Sequence, residues 1–181
     1  MSNMSENSNL NAACAAAATV NPAMHENIGA PKFTYDVQCI GPDGQEKWRE
    51  VIENTVTTVG KTDIIDKYFK GSAYTAAFYL GLKGAGSVSA GDTLASHSGW
   101  TEVTPYSGNR PAITFGSTSA GSNTATAVSY TTNATYTVAG AFVATVNTGT
   151  SGTLYSAGDF AVARSGGSGD TINVTLTVSA S

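Results

Sequence analysis

Charge is what this sequence has least of. Asp, Glu, Lys and Arg make up 12% of it, about half the ~25% usual in globular chains. From Pro111 to the end the only charged side chains are Asp159, Arg164 and Asp170. Thr, Ser, Ala, Gly and Asn fill the gap. A surface so poor in charge suits a protein packed against neighbours, or one built from Thr- and Ser-rich β-faces. It does not suit a small, freely diffusing enzyme, which needs charge for solubility. The net charge is −4 and the pI is near 5.0. No Lys or Arg cluster exists to neutralise phosphates, so nucleic acid is excluded as a partner.

Other absences narrow the class further. Two cysteines, Cys14 and Cys39, are too few for a disulfide scaffold, although a single Cys14–Cys39 bond stays open. No apolar run approaches the ~18–20 residues of a membrane helix, so no membrane partner is expected. No basic stretch precedes the early alanines, so a secretory signal is not expected either. Nucleophile-elbow, P-loop and dinucleotide motifs are missing, and the glycines of Gly81–Gly86 lead into no helix. Two histidines are present, and His25 has no partner at a recognisable spacing. Asp92, His97 and Glu102 lie close in sequence, but acid–base or metal chemistry needs a second His or a fixed carboxylate pair. Asp92 capping a turn and His97 packing beside Trp100 account for them. The expectation is therefore no catalysis, no metal and no cofactor.

Against that background, Asn54–Leu82 organises the chain. Thr62 or Asp63 can cap a helix over about 62–70. Ile64, Ile65, Tyr68 and Phe69 form an apolar stripe at helical spacing. Gly71 then supplies a residue tolerant of positive φ. Tyr74, Ala76, Phe78, Leu80 and Leu82 alternate with lighter residues as a strand. The helix reads as a plug or cap on a β domain.

Around this stretch the sequence divides in two. Residues 1–32 are rich in Asn, Ser and Ala, with an alanine run at Ala12–Ala18, and cannot build a core. They read as an extended or flexible arm. Nearly uncharged and able to reach as much as ~100 Å, the arm is expected to be loose alone and ordered along a neighbouring subunit.

Residues 33–181 read as one β domain. Phe33, Tyr35, Val37 and Cys39 share a face before the turn Gly41-Pro-Asp-Gly44. Glu46–Val56 returns as a second strand with a bulge near Glu50–Val51. Lys83–Ser98 is a long loop, functional or contact-forming. Further strands are expected at Trp100–Thr104, Ala112–Gly116, Thr124–Tyr130 and Ala134–Ala144, then a pair kinked around Gly158–Asp159 (Leu154–Phe160 and Ala161–Arg164). Thr171–Val178 closes the chain with Ile172, Val174, Leu176 and Val178 inward. Eight or nine short strands with frequent turns predict a mostly β fold, an antiparallel β-sandwich or jelly roll with one short helix. Phe78, Leu80, Val174 and Leu176 are expected in its core. Trp100, Tyr106 and Arg110 are an aromatic and cationic set that could stack on a glycan or a partner chain, with packing inside one subunit as the alternative. Asn133-Ala-Thr135 and Asn173-Val-Thr175 match the glycosylation pattern, which chance supplies readily in so Thr-rich a chain.

Several strings carry a resemblance. They are Asn54-Thr-Val-Thr-Thr-Val-Gly60, Asp63-Ile-Ile-Asp-Lys-Tyr-Phe69, Ala90-Gly-Asp-Thr93, His97-Ser-Gly-Trp-Thr-Glu102, Arg110-Pro-Ala112, Gly140-Ala-Phe-Val143, Leu154-Tyr-Ser-Ala-Gly-Asp-Phe160 and Gly169-Asp-Thr171. Over about Phe33–Val178 the chain resembles small structural proteins of tailed bacteriophages and prophages. Within virions it is most similar to capsid decoration (cement) proteins. The resemblance implies a jelly-roll body, often a homotrimer, on the capsid exterior with the major capsid protein as partner. A head or tail fibre component touching a host surface is the other reading it allows.

Overall fold

The computed structural model describes residues 31–180. The arm expectation for residues 1–32, and Cys14 with it, lies almost wholly outside the described residues. Ten strands form two antiparallel sheets of five, packed as a β-sandwich. The strands are β1 (Lys32–Ile40), β2 (Glu46–Glu53), β3 (Thr55–Val56), β4 (Tyr79–Lys83), β5 (Glu102–Val103), β6 (Ser122–Thr124), β7 (Val128–Thr131), β8 (Tyr136–Ala144), β9 (Leu154–Gly166) and β10 (Thr171–Ser179). One sheet runs β2-β1-β10-β6, with β7 also pairing with β10. The other runs β3-β9-β8-β4-β5. The helix α1 (Thr58–Ile64) passes into a π-helical turn, Ile65–Phe69.

The first and last strands meet as their alternation demands. Tyr35 stands opposite Leu176, Val37 opposite Val174 and Cys39 opposite Ile172. All six side chains are buried, because period-two spacing sends every second residue to one face. Leu80 joins them, and Phe78 packs half-buried at the margin. Cys39 is a buried free thiol 3.3 Å from the Tyr136 hydroxyl.

Elsewhere the structure departs from the sequence expectation. The helix begins about four residues early, capped by Thr57, whose Oγ1 accepts from the Gly60 amide at 3.1 Å. That hydroxyl also donates to the Leu154 carbonyl. Gly60 presses so closely on β9 that a Cβ there would stand 2.5 Å from the Tyr155 carbonyl oxygen. The tertiary contact therefore selects the cap, and Thr62 instead bonds back to the Thr58 carbonyl within the helix. The expected stripe does not plug the core. The Lys70 amide bonds back to Ile65, the wider i→i+5 spacing of a π turn. Ile65, Tyr68 and Phe69 face outward. Gly71 follows at positive φ, as expected. Residues 74–78 are not strand, because β5 and Ala112 pair only with residues from Tyr79 onward.

Two expected strands are much reduced. Of Trp100–Thr104 only Glu102–Val103 pairs, and Ala112–Gly116 contributes isolated bridges. Thr124–Tyr130 divides into β6 and β7 along one edge of β10. Leu154–Arg164 is a single strand, β9. Its irregularity sits at Phe160–Ala163, between the pairs Gly140–Asp159 and Val138–Arg164, rather than at Gly158–Asp159. Glu50 holds this bulge from the other sheet, accepting from the Ala161 amide and from Arg164. The bulge expected near Glu50–Val51 is absent from the β1–β2 pairing, whose register shifts at Cys39–Ile40.

At the start of β10, Asp170 is buried yet charged. Burial alone would raise its carboxyl, but Lys47 at 2.6 Å, the Gly167 amide and the Tyr136 hydroxyl outweigh that and hold it below the usual carboxylate range. A folded-state pKa below the unfolded value of about 3.9 adds stability above that pH, and the gain disappears as pH falls through the folded pKa. Asp170→Asn is accordingly expected to flatten the acid limb of a stability–pH curve below about pH 4. An acid limb as steep as in the parent would mean that other carboxylates set it.

Candidate interaction surface

The three residues singled out as a contact set turn inward. Trp100 is buried in a second apolar cluster with Leu94, Phe142, Ala144, Leu154 and Ala157. The cluster lies on the outer face of the β8–β9 sheet, beneath the long loop after β4. Trp100 Nε1 donates to Asp92 at 2.8 Å, and His97 stacks on the indole at 4.0 Å. Asp92 also accepts from the Ser89 amide, closing a turn. Both residues thus take the packing roles expected of them, and the long loop makes its contacts with its own domain.

Arg110 is buried too. It forms a two-pronged pair with Glu102 at 2.8 and 2.6 Å and donates to the Val146 and Gly149 carbonyls. Its guanidinium lies over the Phe142 ring. Trp100 and Arg110 therefore both pack against Phe142, and neither is exposed to a ligand. That corrects the stacking expectation for these two: local sequence shows an aromatic and a cation, while the covering loop is a tertiary feature. Glu102 is consumed by Arg110, and no group of His, Cys, Asp and Glu arranged to hold a metal occurs among the described residues.

Tyr106 differs. Its ring packs against Tyr130 at 4.7 Å, but its buried hydroxyl has no partner among the described residues. Burial, then the nearby Glu102 charge, pushes that hydroxyl up to about 12. It lines a polar cleft with Ser107, Asn109, Ser129, Thr131 and Asn133.

The surface that sequence reasoning missed lies on the other side of α1. Tyr68 is 82% exposed and Phe69 75%, and the two rings pack edge to face at 5.1 Å. Ile65 and Tyr74 are also more than half exposed. Two adjoining apolar depressions, both lined by Ile64, Tyr74 and Tyr155, continue this patch toward Phe78 and Phe115. Only Lys61, Asp63, Asp66, Lys67 and Lys70 bring charge near it in sequence, and Lys70 pairs with Asp66. The signal was present in Ile64–Phe69; its direction was not. Contiguous exposed aromatics of this kind mark contact sites. No helix among the described residues is long and apolar enough to cross a membrane.

No protein-family model matches the chain, and no curated protein is significantly similar to it in sequence.

Proposed function

We propose that this protein is a capsid decoration protein of a tailed bacteriophage. In this reading it binds the major capsid protein on the outer face of the assembled shell, as a homotrimer, and bridges neighbouring capsomers. The single observation that carries an assembly role is the aromatic patch Ile65–Phe69 with Tyr74, which a π turn holds outward. Low charge suits a surface that works against neighbours, and the string of motifs over Phe33–Val178 supplies the virion context. The domain needs no chemistry for this: its ionised side chains of lowest exposure, Lys83, Arg110 and Asp170, are all in internal pairs. The N-terminal arm would extend the footprint along an adjacent subunit.

The test is Tyr68→Ser with Phe69→Ser. Both rings are exposed, so the melting of the isolated protein should stay within about 0.5 kcal/mol of the parent. Affinity for purified undecorated shells should fall at least about 30-fold, the loss expected when interface aromatics are removed. Unchanged shell binding would rule out the patch as the contact.

A second reading has one observation of its own. The cleft beside Tyr106, lined by Ser, Thr and Asn side chains, suits a sugar better than a flat protein surface, and would fit a head or tail fibre. Copy number in purified virions separates the two: hundreds per particle for decoration, a dozen or so for a fibre.

A further inference from the structure

An apolar groove opens where the described chain begins. Pro31 lines it together with Phe33, Phe78, Phe115, Tyr155 and Val178, in a volume of about 650 Å³. No ionisable Asp, Glu, Lys, Arg or His side chain lines it. Asn123 stands in its wall. The Asn123 amide nitrogen donates to the Gly116 carbonyl and to Thr118 Oγ1, both at 2.9 Å. Its Oδ1 is buried without a partner among the described residues. A buried acceptor without a donor is costly, and it marks a place where a donor belongs.

We propose that this groove is the seat of the Val20–Ile28 segment of the chain's own N-terminal arm. Position is the first argument. The arm leaves from Pro31, in the groove wall, so Ile28 is tethered within about 10 Å of it at full extension. Such a tether gives the segment an effective concentration in the millimolar range, which a second copy or a foreign chain must exceed to compete. Chemistry is the second. Val20, Met24 and Ile28 recur every four residues and are the large apolar residues nearest the groove in sequence, with Glu26 the one carboxylate among them. An apolar wall with a single acceptor suits such a segment, which brings backbone N–H donors and little charge. Seating residues 20–28 fixes where the arm starts and leaves the 19 residues before them free to reach a neighbour. The inference does not depend on the virion reading.

The test uses the full chain with Cys14→Ser, the buried Cys39 being left in place. Met24→Cys is combined with Thr114→Cys, in the groove wall, or with Gln45→Cys, in the turn at the far end of β1. Mild oxidation should close the Thr114 pair within one chain at least about tenfold faster than the Gln45 pair, a ratio equal to about 1.4 kcal/mol of preference. Equal rates would overturn the proposal, and so would covalent dimers, which place a second copy's arm in the groove. Ile28→Asp should erase the Thr114 preference. A preference that survives Ile28→Asp would show that apolar seating is not the cause.

Discussion

Replacing Asp159 with Ala is expected to lower the unfolding free energy by about 3–5 kcal/mol, the usual cost of stranding a buried charge. Lys83 is the charge in question. Its side chain is 0% exposed, and its ammonium lies 2.7 Å from Asp159, which is 37% exposed. Strands β4, β8 and β9 bring the two together, with Lys83 opposite Gly140 and Gly140 opposite Asp159. The remaining Lys83 donors reach the Gly84 and Gly86 carbonyls, and Asp159 Oδ2 accepts from the Val88 amide. The pair thereby ties the start of the long loop to the sheet. Removing the cation should be cheaper than removing the anion. Lys83→Met fills the same space and leaves a carboxylate that water already reaches, so about 1–2 kcal/mol is expected, mostly from the carbonyls left unpaired. Urea denaturation of both variants checks the order. If Lys83→Met proves the costlier, the carbonyls rather than Asp159 hold the cation.

Phe142→Ala should cost about 3–5 kcal/mol as well, the range for deleting a buried aromatic. The ring lies across Gly81 on β4, where a Cβ would stand 2.1 Å from it. Trp100 packs against it at 5.3 Å between ring centres, and Arg110 covers it at 5.3 Å. No small rearrangement refills that space, because the surrounding groups are fixed by the Asp92, Glu102 and carbonyl bonds. The loss should also be local. Amides of residues 84–101 should exchange faster than those of β1 and β10, which belong to the other core. Phe78→Ala is the comparison: that ring is half-buried at the groove, so a loss of about 1–2 kcal/mol is expected rather than the full range. Equal losses in the two variants would mean that Phe142 is not the keystone of the outer cluster.

The sandwich itself was legible because alternation is a local property. Phe33–Cys39 and Ile172–Val178 each declare a buried face without reference to any partner, and two such faces of matching length pair readily. Gly71, the Asp92 turn and the His97–Trp100 stack were legible for the same reason: each depends on residues within a few positions. Low charge also follows from composition, wherever the residues end up.

What only the tertiary structure decided are the contacts whose two halves lie far apart in sequence. Thr57 caps α1 because β9 stands beside Gly60, and nothing in Thr57–Thr62 announces Tyr155. The stripe Ile64–Phe69 is amphipathic on paper, but a π turn widens the spacing and aims three of its residues at solvent. Trp100 and Arg110 look like contact residues in the sequence, yet both are buried against Phe142 in the fold. Lys83 and Asp159 lie far apart in sequence, and only the pairing of β4, β8 and β9 brings them together. Burial is set by which elements cover a residue, and covering depends on the path of the whole chain rather than on the residues next to it.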